Sequence, residues 1–169
     1  MKHLHVLRHA KSSWAEDDQP DRERPLAPRG RKAARRVAAY IRDRAVKPDL
    51  VLCSPAERTR QTLELIQPEL GDGVEVLLED GLYGATANQL LDRLRRLPDG
   101  AANAMIVGHN PGVQELVVLL ARDGALRARA RGHFPTAALA TLELPVDAWP
   151  DLQPAAADLV AYVVPRELR

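Results

Sequence analysis

A three-layer α/β/α sandwich with a mostly parallel central sheet is the fold this sequence predicts, on three observations. Short apolar runs alternate with longer segments whose apolar residues recur at helical spacing. The runs are short and continuous, as strands covered on both faces are. At two of their ends a cap-forming residue and a proline follow at once, where a helix would start. With 169 residues, 46% of them hydrophobic and 28% charged, the chain reads as a single domain spanning 1–169.

Leu4-His5-Val6-Leu7 is the first run, and it stops at Arg8-His9. In open α/β sheets ligands bind just beyond the carboxyl ends of strands. There an imidazole can attack a phosphoryl group while a neighbouring guanidinium holds its oxygens. Residues 12–29 are polar, charged and without periodicity, which predicts a long functional loop. Pro28 then suits the first turn of a helix over 28–44, with Ala34, Val37, Ala38 and Ile41 as its buried stripe. Arg31, Arg35 and Arg42 share another face and read as solvated.

Leu50-Val51-Leu52-Cys53 predicts a second buried strand. Ser54-Pro55-Ala56-Glu57 follows as a capping box, which puts Arg58 in the first turn of a helix continued by Thr62 and Ile66. A strand over 74–78 leads into a turn-rich stretch, Glu79-Asp80-Gly81-Leu82-Tyr83-Gly84. Thr86 and Gln89 form another capping box, opening a helix with Leu90, Leu91, Leu94 and Leu97 buried. The strand over 104–107 runs into Gly108-His109-Asn110-Pro111-Gly112, where Asn110 caps a helix begun by Pro111. Residues 124–132 read as a basic, irregular connection, and 137–144 and 159–164 as two last strands.

If the first, second and fourth strands are parallel neighbours, one sheet edge gathers Arg8-His9, Ser54 to Arg58 and Gly108-His109-Asn110. Two arginines, two imidazoles and two helix starts suit a doubly charged phosphoryl group. Other phosphate chemistries fit less well. From Cys53, the arginine of a cysteine-dependent phosphatase would fall on Thr59, and Pro55 removes an N–H from the required cradle. His3 and His5 share a strand face, but no further ligand cluster completes a metal site. The Gly-rich Lys-Ser/Thr signature of a nucleotide loop is missing.

The net charge of +1 gives no argument for nucleic acid or an anionic membrane as partner. No apolar run reaches the roughly 20 residues of a membrane span, and a signal-peptide pattern is lacking. The lone cysteine fits a reducing cytoplasm.

Arg8-His9-Ala10-Lys11-Ser12, Ser54-Pro55-Ala56-Glu57-Arg58-Thr59-Arg60-Gln61-Thr62 and Gly108-His109-Asn110-Pro111 together resemble the histidine phosphatase superfamily. The small size resembles its SixA-like phosphohistidine phosphatase branch, as do Asp21-Arg22-Glu23-Arg24-Pro25-Leu26, Leu82-Tyr83-Gly84-Ala85 and Phe134-Pro135-Thr136. The resemblance implies a phosphoglycerate-mutase-like fold. It implies His9 as a nucleophile that is transiently phosphorylated, with Arg8, Arg58 and His109 on the phosphoryl oxygens and Asn110 and Ser12 beside them. It places the general acid near Glu79-Asp80, with Asp80 favoured by its spacing from Tyr83-Gly84. Ala27 departs from the polar residue usual before the second helix. No metal or cofactor is implied, since the arginines supply the positive charge.

The implied substrate is phosphohistidine in a partner protein, whose imidazole leaves neutral and needs little help from an acid. The alternatives are a phosphatase or mutase for small phosphate esters, and a non-catalytic module that binds a phospho-ligand.

Overall fold

The structure, a computed structural model, describes residues 1–16 and 18–169; Asp17, inside the 12–29 connection, lies outside the described residues. Six strands form one sheet: β1 (Lys2–Arg8), β2 (Leu50–Cys53), β3 (Glu75–Leu78), β4 (Asn103–Gly108), β5 (Leu139–Leu144) and β6 (Asp158–Val163). Their order is β3-β2-β4-β1-β5-β6. β1, β2, β3 and β4 are mutually parallel, and β5 runs antiparallel to both β1 and β6. Five helices accompany the sheet: α1 (Pro28–Asp43), α2 (Glu57–Ile66), α3 (Ala87–Arg95), α4 (Gly112–Leu120) and α5 (Ala125–Gly132).

The alternation of side chains along each strand sorts the core into two halves. Leu4, Val6, Leu50, Leu52, Ala104 and Ile106 face a cluster completed by α3, α4 and Ala130 of α5. Leu7, Val51, Cys53, Met105 and Val107 face the other way, onto Val37 and Ile41 of α1 and Leu63 and Ile66 of α2. The three layers expected from sequence are therefore present. No helix among the described residues is long and apolar enough to cross a membrane.

Register places the site. Arg8 pairs with Gly108 and Cys53 with Val107, so all three strands end at the same level. His9 N–H donates to the Gly108 carbonyl (3.0 Å) and Ser54 N–H to that of Val107 (3.1 Å), which extends the pairing one residue past the strands. The last third of the chain closes over this edge. Ala137 N–H donates to the carbonyls of Arg8 and His9 (3.1 and 2.9 Å) as β5 comes in beside β1. Gly30 of α1 lies so close to the segment after His9 that a Cβ there would be 2.1 Å from the Lys11 carbonyl oxygen. Only glycine allows that approach.

The capping box of Thr86 and Gln89 is present in both halves. Other local expectations are corrected. Ser54 does not cap α2, which starts two residues later than the expected first turn with Ala56 before it. Asn110 does not cap α4 either, and that helix begins at Gly112. Leu97 is buried as expected but lies just past the end of α3. Residues 124–132 hold a helix, α5, not an irregular connection. The 12–29 loop folds back on itself through a bridge between Ser12 and Leu26, with a 3-10 turn at Asp21–Glu23.

Candidate active site

His9 follows β1 and is only 7% exposed. Its Nδ1 lies 2.7 Å from the Ala10 carbonyl, an acceptor, so Nδ1 carries the proton and Nε2 holds the lone pair. Burial, and after it the nearby His109, Arg58 and Arg8, lowers its pKa to about 3. The imidazole is therefore neutral across the physiological range, the state a nucleophile needs.

Arg58 stands in the first turn of α2, 8% exposed. One edge of its guanidinium is filled by a single residue: Nη1 donates to the Asp21 carbonyl (2.8 Å) and Nη2 to Asp21 Oδ2 (3.0 Å). The Tyr83 hydroxyl donates to the same Oδ2, and Arg24 Nη1 to Oδ1 (2.9 Å). The Tyr83 hydroxyl first, then Arg24 and Arg58, hold the Asp21 carboxyl well below the usual carboxylate range. Arg8 donates Nη1 to the Phe134 carbonyl (3.1 Å), and its buried Nε has no partner. Burial, then the charge of Arg58, lowers the Arg8 pKa, as two like charges brought near each other require.

His109, just past β4, sets its ring 5.2 Å from that of His9 and 5.4 Å from that of Tyr83. Its Nε2 is 2.7 Å from Ser54 Oγ, and its buried Nδ1 has no partner. Ser54 Oγ thus lies between the imidazole and the Ala56 N–H, one turn short of the start of α2. Burial first and Arg58 second lower the His109 pKa to about 4, so the ring is neutral in this structure. Asn110 Nδ2 donates to the Phe134 carbonyl (2.8 Å), leaving a buried Oδ1 unpartnered. An acceptor facing the site suits an N–H or a water better than a phosphoryl oxygen.

Thus Arg8, His9, Arg58 and His109 are gathered at one edge, with Asn110 beside them. The other two candidates are differently engaged. Ser12 Oγ accepts from Arg24, itself buried and stacked over Trp14 (3.2 Å to the ring centre). Asp80 is exposed and accepts from Arg22 (3.1 Å). Glu79 accepts twice from Arg93 (2.7 and 2.8 Å), which lowers its pKa. The carboxylate that touches the site is Asp21, which sequence reasoning assigned no role. Its only signal was membership in the Asp21-Arg22-Glu23-Arg24-Pro25-Leu26 motif.

Two buried histidines, His5 and His9, and the half-buried His109 make acid stability a test of this geometry. Burial lowers His5 to about 4, as it lowers His9 to about 3 and His109 to about 4. An unfolded chain protonates these rings near pH 6.5, at about the reference value, while the folded protein does not. The unfolded state binds more protons between those limits, so stability is lost as pH falls below 6.5 until the folded values are passed. Melting temperature is expected to decline steadily from pH 7 to pH 4.5. A flat profile over that interval would contradict these neutral rings.

The chain is similar to known proteins over most of its length. The family model of the histidine phosphatase superfamily (branch 1) matches residues 4–84. An uncharacterized protein of Mycobacterium tuberculosis is 35% identical over 164 residues, 95% of this chain and 100% of that protein. A solved structure from Nakamurella multipartitia, provisionally named phosphohistidine phosphatase SixA, is 31% identical with a TM-score of 0.82, over 96% of this chain and 95% of that one. Another with the same provisional name, from Agrobacterium tumefaciens, is 28% identical with a TM-score of 0.83, over 96% and 97%. The chain belongs to the histidine phosphatase superfamily and is a phosphatase.

Proposed function

We propose that the protein, acting as one domain over 1–169, removes the phosphoryl group from phosphohistidine in a partner protein, by way of a phosphate carried transiently on His9. The observation that carries this reading is a pair of unpartnered nitrogens next to His9, Arg8 Nε and His109 Nδ1, both able to donate to a phosphoryl oxygen. Buried polar groups are normally satisfied, and unpartnered donors mark where a ligand completes the bonding.

His9 Nε2 attacks phosphorus in line with the departing imidazole, forming a P–N bond as the substrate's P–N bond breaks. Arg8 Nε and the free N–H groups of Arg58 stabilise the equatorial oxygens. Ser54 Oγ accepts from Ala56 N–H (3.4 Å), which turns its own proton toward His109 Nε2. The proton of His109 then sits on Nδ1, facing the phosphoryl group as a neutral donor. The pKa of His109, lowered to about 4 by burial and then Arg58, supports this neutral form. Water hydrolyses the phosphorylated His9 in the second step.

The carboxylates support this substrate class. Asp80 faces Arg22, Glu79 is tied to Arg93, and Asp21 is held ionised, so none stands ready to give a proton to a leaving alkoxide. An already protonated phosphohistidine leaves as neutral imidazole and has little need of one. Asp80→Asn should therefore keep kcat/KM for every substrate within about twofold, because losing an exposed ion pair is a small perturbation. A loss confined to esters with poor leaving groups would restore Asp80 as the acid. A reducing cytoplasm suits a chain whose one cysteine, Cys53, is buried and has its thiol pushed up to about 12.

The deciding experiment ranks phosphohistidine protein, phosphoserine peptide and sugar phosphates by kcat/KM. Phosphohistidine protein is expected first. A small ester in that place would assign the protein to ester metabolism, and no turnover of any substrate would make it a binding module. Activity is also expected to survive excess EDTA, because Arg8 and Arg58 supply the charge that stabilises the transferring group. Loss on chelation, with recovery on adding Zn²⁺ or Mg²⁺, would contradict this.

A further inference from the structure

A second feature of the same sheet edge is a half-open hollow of about 310 Å³ with Lys11, Arg29, Arg36 and Arg166 around it. No carboxylate among the described residues lines it. Among the described residues none of these four cations makes a side-chain hydrogen bond or ion pair, and the nearby Glu167 is taken by Arg129. Several other surface arginines are paired, Arg22 with Asp80, Arg42 with Asp43, Arg122 with Asp158 and Arg127 with Asp123, while Arg35, Arg44 and Arg131, unpaired among the described residues, do not line the hollow. Four unmatched cations on one hollow, in a chain of net charge +1, are a local concentration of positive potential.

The hollow adjoins His9. Lys11 is two residues further along, and Thr136 on its wall precedes Ala137, whose N–H binds the His9 carbonyl. The close approach of Gly30 to Lys11 brings Arg29 and Arg36 of α1 down to the same place. The floor is proline and aliphatic, from Pro135 and Val164. Lysine and arginine here share the wall with apolar side chains, so the hollow offers both charge and an aliphatic contact. That form suits the methylene stems and separated carboxylates of an extended acidic peptide.

We propose that this hollow docks an acidic segment flanking the phosphohistidine of the partner protein, an inference that rests on the phosphohistidine-protein reading above. An extended chain covers at most about 3.5 Å per residue, so the acidic residues would lie a few positions from the phosphohistidine.

The test compares native protein with the double variant Arg29→Glu, Arg36→Glu. Both side chains lie outside the catalytic cluster, and neither has a partner to lose. Two phosphohistidine peptides serve as substrates, one with glutamates and one with glutamines two to four positions away, with an aryl phosphate as control. Native protein should prefer the acidic peptide by about tenfold in kcat/KM, mainly through KM, and 0.5 M salt should erase most of the preference. The double variant should lose that preference and keep the native rate on the aryl phosphate.

Equal native rates on the two peptides, or equal losses on all three substrates, overturn the proposal. So does a small bisphosphate ester that suffers as much as the acidic peptide in the double variant, because the hollow would then be a second phosphate subsite. If native protein cleaves the aryl phosphate but neither peptide, the phosphohistidine reading has failed, and docking is measured directly with an unphosphorylated acidic peptide. Binding to native protein that the double variant abolishes sustains the acidic docking site, and equal binding to both removes it.

Discussion

His9→Ala is expected to reduce turnover by at least about 10³-fold while leaving the fold and its melting temperature nearly unchanged, since removing a nucleophile abolishes the covalent route. The side chain sits past the end of β1 with its ring beside that of His109, so truncation opens the site. Its one hydrogen bond goes to the carbonyl of the next residue, a group that water can satisfy after truncation. Native protein mixed briefly with substrate and quenched in base should carry an acid-labile phosphate on His9 alone. A label on His109 would exchange the roles of the two imidazoles. Normal turnover by His9→Ala would remove the covalent mechanism altogether.

Arg58→Ala should cost about 10²–10³-fold in kcat, the usual loss when one preorganised donor to the developing charge is deleted. Arg58→Lys should recover little of it. Asp21 binds the guanidinium through two parallel contacts, from Nη1 to its carbonyl and from Nη2 to its carboxylate. A lysine ammonium cannot make both and still present donors to a phosphoryl group, because it lacks the planar fork. Asp21 is thus a positioning residue for Arg58, with Tyr83 and Arg24 as its own anchors. A lysine variant as fast as the native protein would show that only the charge of Arg58 matters.

Much of this was legible in the sequence because it depends on neighbours in the chain. Strand ends at Arg8, Cys53 and Gly108 follow from where each apolar run stops, and Thr86 with Gln89 caps α3 through contacts three residues apart. The misreadings concern partners far away in sequence. Ser54 had the identity and spacing of a cap, but its hydroxyl meets His109 and α2 begins only at Glu57. Asp21 lies in an aperiodic loop, and its importance comes from Arg58 and Tyr83. The sequence of α5, Ala-Leu-Arg-Ala-Arg-Ala-Arg-Gly, alternates with period two and shows no apolar stripe. Alanine and arginine nevertheless favour helix, and Gln114 of α4 holds its last carbonyls at Ala130 and Arg131.

The position of β1 bears on how the protein is made. Its two neighbours are β4 and β5, so His3 must find Asn103 on one side and Glu143 on the other. A ribosome adding about 5–20 residues each second would keep β1 waiting on the order of ten seconds for β5. Until β4 is made, Leu4-His5-Val6-Leu7 has both hydrogen-bonding edges open, and until β5 is made one edge stays open, the condition under which strands pair with the wrong chain. His9, the proposed nucleophile, is synthesised long before Phe134, whose carbonyl anchors Arg8 and Asn110. No nascent chain that lacks this carbonyl can therefore hold the arrangement of Arg8 and Asn110 seen beside His9.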